Sequence, residues 1–108
     1  MISDEYMQSE LARSQTYSLV MLLPGPNRET ATRELIWEHG RRNFQLRNDG
    51  VMNIVGPMLD GGELQGICVL QVDVDEAAKI MDGDPAVEAG IFTYEIHPFR
   101  GFPGDALA

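Results

Sequence analysis

The sequence holds one cysteine, Cys68, and two histidines, His39 and His97, in 108 residues. A lone cysteine excludes an intrachain disulfide and leaves no cysteine cluster for a structural zinc. Cys68 stands in the run Ile67-Cys68-Val69-Leu70 and reads as a small buried hydrophobe in a strand. No stretch approaches the roughly 20 apolar residues of a membrane span. The opening Met1-Ile2-Ser3-Asp4-Glu5 lacks the basic and apolar regions of a secretory signal. The expectation is a cytoplasmic protein with no membrane partner.

Basic residues are scarce, 8 against 17 acidic, for a net charge of −9. Such a surface repels a phosphate backbone, so no nucleic-acid partner is expected. A phosphate-cradling loop and a dinucleotide fingerprint are also missing, because Gly61-Gly62 lacks the strand-to-helix context they require. No cofactor and no metal are expected.

What is present fits one soluble domain. Hydrophobic content is 44% and charged content 23%, both ordinary for a globular chain. A core this small gains from association with a partner. Residues 1–15 read as a polar tail or a short fraying helix, residues 16–100 as the domain, and residues 101–108 as a second tail.

The apolar run Tyr17-Ser18-Leu19-Val20-Met21-Leu22-Leu23 predicts a first strand, closed by Pro24-Gly25-Pro26. A helix follows from about Arg28 to Asn48, with Asn27 as its N-cap and Asp49-Gly50 as its stop. Val51–Val55 is a second strand, broken by Gly56-Pro57. Ile67–Val72 is a third, hairpinned to the second through a glycine-rich connection. Asp73 and Glu76 have capping-box spacing and open a short helix over about Val74–Met81. A last strand runs from about Ile91 to His97 and stops at Pro98.

The order β-α-β-β-α-β is the ferredoxin-like arrangement of the α+β class, an antiparallel sheet with two helices on one face. The other face needs cover. A second copy supplies it most simply, giving a homodimer whose sheets enclose a cavity for a small-molecule ligand.

Within the long helix, about 100° per residue puts Thr32, Leu35, Ile36, Asn43 and Leu46 on one side, with His39 near the centre of that arc. An imidazole aimed at the packed side must be hydrogen-bonded or used, since burying it unpaired costs roughly 1–3 kcal/mol. Trp37 and Phe44 point away from that side, toward the N-terminal segment or a partner chain. Five arginines cluster in or beside this helix: Arg28, Arg33, Arg41, Arg42 and Arg47. They serve either as a solvated, ion-paired face or, for Arg42 one turn after His39, as an anchor for an anionic ligand.

Near the C-terminus, Thr93, Glu95 and His97 share one strand face and either line the cavity or meet solvent. His39, His97 and Glu95 hold metal-ligating groups, but nothing in their spacing argues for a metal.

His39, Gly50, Gly56-Pro57, Asp60-Gly61-Gly62, Asp84-Pro85 and Pro98-Phe99 form an ordered series. The series resembles the YCII-related family, over about residues 17 to 100, and the lead before Tyr17 departs from it. The family looks like a branch of the dimeric α/β barrels, beside muconolactone isomerase-like proteins and small monooxygenases. The resemblance implies that His39 and Asp84 form an acid–base pair for isomerase- or lyase-type chemistry in some members. An aspartate fixes an imidazole's tautomer and suits it to proton transfer. Asp84 is otherwise a turn residue before Pro85, and Asp60, in an ordinary turn sequence, is a second possible partner for His39.

Three readings remain open. The first is a small enzyme with His39 as general acid/base, Asp84 as its orienter, and Arg42, Asp60 and His97 as substrate-binding residues. The second is a non-catalytic ligand-binding or regulatory module. The third is an interaction protein that uses its aromatic tail and the Trp37–Phe44 stripe.

Overall fold

A computed structural model describes all of residues 1–108. The elements in order are α1 (Asp4–Arg13), β1 (Gln15–Pro24), a 3-10 turn (Arg28–Thr30), α2 (Arg33–Asn48), β2 (Met52–Pro57), β3 (Gly66–Leu70), α3 (Val74–Asp82), α4 (Pro85–Glu88) and β4 (Phe92–Gly101). The four strands form one open antiparallel sheet in the order β2-β3-β1-β4, the ferredoxin-like order. No helix is long and apolar enough to cross a membrane.

The apolar run after Tyr17 becomes β1 because it is flanked on both sides, pairing Val20 with Cys68 of β3 and with Ile96 of β4. The alternation along β1 divides the sheet into two faces. Val20 on one side is buried with Met52, Cys68, Leu70, Ala77 and Met81 under α2 and α3. Each such large side chain contributes about 1.5–3 kcal/mol relative to exposure. Leu19, Met21, Ile67 and Val69 lie on the opposite face, which no helix covers.

Several boundaries differ from the expectations. Residues 4–13 form a complete helix, capped by Ser3, whose hydroxyl accepts the Tyr6 N–H at 3.1 Å. The long helix does not start at Arg28. Asn27 is committed elsewhere, its side-chain amide donating to Ala89 O and its backbone N–H to Gly90 O, so Thr32 caps α2 instead by accepting the Leu35 N–H.

Proline also failed to stop two strands. β2 runs through Gly56-Pro57, and β4 runs past Pro98 to Gly101. Both are edge strands, which tolerate proline where the missing N–H would point away from the single neighbour. Asp73 is the N-cap of α3, with its carboxylate accepting the Glu76 N–H at 2.9 Å. A short helix, α4, follows where only a turn was expected, and it begins with Pro85 at the position where a missing N–H costs least.

Candidate functional site

His39 leaves α2 toward the helix-covered face of the sheet, as its place on the 100° arc implies, and its side chain is 13% exposed. Asp84 reaches it from the start of α4 and is fully buried. Nδ1 of His39 lies 2.6 Å from Oδ2 of Asp84. The other carboxylate oxygen, Oδ1, accepts the backbone N–H of Ala86 at 2.8 Å, which makes Asp84 the N-cap of α4. A carboxylate oxygen only accepts, so the contact sets Nδ1 as the donor to Asp84 and leaves Nε2 as the other ring nitrogen.

His39 also lines a cavity. About 460 Å³ lies between α2 and the sheet, walled mainly by apolar side chains such as Leu22, Met52, Val55, Met58, Met81 and Phe92. The polar side chains that line it are His39, Asn43 and Gln65, and no Arg, Lys, Asp or Glu does so. Asn43 stands one turn after His39, with its amide nitrogen 3.4 Å from Nε2, a long and weak contact that a ligand atom can displace. The Phe92 ring packs against the imidazole with centroids 5.1 Å apart. Phe92 is held by its neighbours, because Gly25 N–H donates to Ile91 O at 2.7 Å beside it.

Cys68 closes the floor of the cavity. Burial pushes its thiol from 9.0 up to about 12, so it is a neutral wall group rather than a nucleophile.

The structure brings His39 and Asp84 together and leaves the other candidates apart. Arg42 does not line the cavity. It is half-buried against Gly83 at the end of α3, where its Nη2 would lie 2.9 Å from a Cβ at that glycine. Asp60 is exposed in its loop and accepts the Gly62 N–H at 3.2 Å, an ordinary side-chain turn that leaves His39 to Asp84. His97 is 56% exposed beside Glu95 at 3.6 Å, on the open face of the sheet. The sheet therefore separates His97 and Glu95 from His39. A metal site combining them is excluded within one chain, and no group of three or more metal-ligating side chains exists elsewhere.

This cavity sits within one chain, between α2 and the sheet. Asn43, Phe92 and Gln65 were missed as site residues. Asn43 was legible, since it shares the arc of His39 at a spacing of four; the other two come from distant segments.

A family model described as the YCII-related domain matches residues 16–100. No curated protein matches the chain.

Proposed function

The chain belongs to the YCII-related domain family, and on that premise we propose that it is a small-molecule enzyme of isomerase or lyase type, with His39 as its acid–base group. The observation that carries the reading is His39 in the wall of an apolar cavity while Asp84 holds its Nδ1 at 2.6 Å. A histidine kept only for structure has no need of a cavity beside it.

The chemistry follows from these atoms. Nε2 accepts a proton from a substrate C–H or O–H, and the imidazolium that forms is stabilised by the Asp84 carboxylate on Nδ1. The Asn43 amide N–H, beside Nε2, turns to a carbonyl oxygen on which negative charge develops. Return of the proton to a second carbon completes an isomerisation, and its delivery to a leaving group completes an elimination.

The lining selects the substrate. A cavity lined by no Arg, Lys, Asp or Glu disfavours carboxylates and phosphates, whose burial unpaired costs several kcal/mol. Small, uncharged, largely apolar carbonyl compounds fit. The test is proton exchange in deuterated water, followed by NMR on a panel of neutral cyclic ketones and their carboxylated analogues. The expected outcome is exchange on a neutral member, lost in His39→Gln while the circular dichroism spectrum is retained. Equal exchange by His39→Gln would remove the assignment.

A further inference from the structure

A second concavity opens beside the His39 cavity. It encloses about 650 Å³ between the 3-10 turn at Arg28–Thr30 and the β2–β3 loop. Ile36, Gln65 and Phe92 line both spaces, so the two adjoin along that shared wall.

Both sides of the outer space are braced by hydrogen bonds. Arg28 donates its backbone N–H to Gly25 O at 3.3 Å, and its own carbonyl accepts the Ala31 N–H at 3.3 Å. Asn27 pins this turn, because its side chain and its backbone both donate to the α4–β4 junction at Ala89 and Gly90. Opposite, the Gln65 side-chain amide donates to Gly62 O and Glu63 O at 3.0 and 2.9 Å. The Gln65 backbone N–H donates to Leu22 O at 2.7 Å and ties that loop to β1.

The two spaces differ in charge. No Arg, Lys, Asp or Glu lines the inner one, whereas Arg28 is the one cation and Glu63 the one carboxylate of the outer one. Arg28 pairs with its neighbour Glu29 at 3.5 Å, with side chains 57% and 75% exposed. Such a contact is weak enough for a ligand anion to replace. Glu63 forms no ion pair. In a chain of net charge −9, a guanidinium beside an uncharged cavity is a local attractor for an anion.

We infer that the outer space is a subsite for a carboxylate at the far end of the ligand, bound by Arg28, while the uncharged carbonyl head lies at His39. The head's placement rests on the proposed function, whereas the subsite is tested by binding alone. A carboxylate carried on the head itself stays excluded, because it would sit unpaired in the inner cavity. At the end of a flexible arm it passes Phe92 and Gln65 and meets the planar fork of the guanidinium. Glu63 opposes any anion there, and opposes a doubly charged phosphate more than a carboxylate. The ligand class is therefore an oxo acid with its two functions well separated.

The probes are cyclohexanones with straight-chain arms of increasing length, each ending in a carboxylate or in its methyl ester. Titration of the full chain by calorimetry or NMR gives the affinity of each acid relative to its ester. The expected result is an ester preference at the shortest arm, inverting at a longer one. The acid preference there is about threefold, the size an exposed ion pair sustains. Arg28→Gln removes it without changing the ester's affinity, Arg28→Lys keeps part of it, and Glu63→Gln enlarges it. Arg28 and Glu63 are exposed, so these variants melt with the parent. An ester preference at every length, binding by no probe, or an acid preference that survives Arg28→Gln overturns the inference. Proton exchange without acid preference removes the subsite alone. Acid preference without proton exchange removes the enzyme reading and leaves the subsite.

Discussion

Asp84 gives one carboxylate oxygen to His39 and the other to the first turn of α4, at 2.6 and 2.8 Å. One buried side chain thus orients the candidate base on α2 and caps the first turn of α4. Pro85 reinforces the second task by presetting the backbone at the first helical position. The Asp-Pro pair is therefore both turn and partner, and these two readings of it are not alternatives.

Replacing that carboxylate separates the two tasks. In Asp84→Asn the amide oxygen still caps Ala86, while the amide nitrogen faces Nδ1 and forces the imidazole proton to Nε2. The expected loss of stability is about 1–3 kcal/mol by chemical denaturation, from one weakened buried hydrogen bond. Nitrogen NMR of the imidazole reads the tautomer directly. Proton on Nδ1 in the wild type and on Nε2 in the variant is the expected pair of results; an unchanged tautomer would sink this account of the site.

Gly25 tests how the far wall is held. A Cβ there would lie 2.2 Å from the backbone oxygen of Gly90, and neither chain segment can yield without breaking the Gly25–Ile91 hydrogen bond. Gly25→Ala should cost more than about 2 kcal/mol in thermal or denaturant unfolding. The substitution should also disturb the Phe92 ring against His39, visible as shifted imidazole resonances. A variant as stable as the parent would show that the clasp is not needed.

The same clasp explains where sequence reasoning reached and where it stopped. Local signals were enough for the faces of α2, since the 3.6-residue period aims His39 inward whatever surrounds it. The N-cap at Asp73 and the β2–β3 hairpin were legible for the same reason. Asn27 read as a cap because its chemistry suits one, but its donor is used 62 residues away at Ala89. Pro98 read as a stop because its position on the edge of the sheet is a tertiary fact. Arg42 was one turn from His39 in sequence, yet the packing of α2 against α4 and Gly83 turns it away from the cavity.

Arg42 and Asn43 make a sharp comparison, because they are adjacent in sequence and differ in what they face. Arg42→Ala should leave the affinity for a neutral probe such as cyclohexenone unchanged in an NMR titration. Asn43→Ala should weaken it by about tenfold through loss of one hydrogen bond to the carbonyl. The reverse pattern would restore Arg42 as an anchor and point to an anionic ligand.

Alkaline pH probes two groups on the helix-covered side of the sheet. Burial raises Cys68 from 9.0 to about 12. Tyr94 is raised from 10.0 to about 12, first by its hydroxyl's 2.6 Å hydrogen bond to Asp82, then by burial and by the charge of that carboxylate. Both are acids whose folded value lies above the unfolded one. Between those values the folded chain binds more protons than the unfolded chain, so stability falls as pH rises. The loss should begin near pH 9 from Cys68, be joined near pH 10 by Tyr94, and level off near pH 12. Cys68→Ala should be less stable at neutral pH by about 1 kcal/mol, from the lost packing. Its stability should nonetheless decline less steeply above pH 9, and Tyr94→Phe should flatten the decline above pH 10. Denaturant unfolding at a series of pH values measures both slopes, and slopes equal to the parent's would show that neither group keeps its proton in the fold.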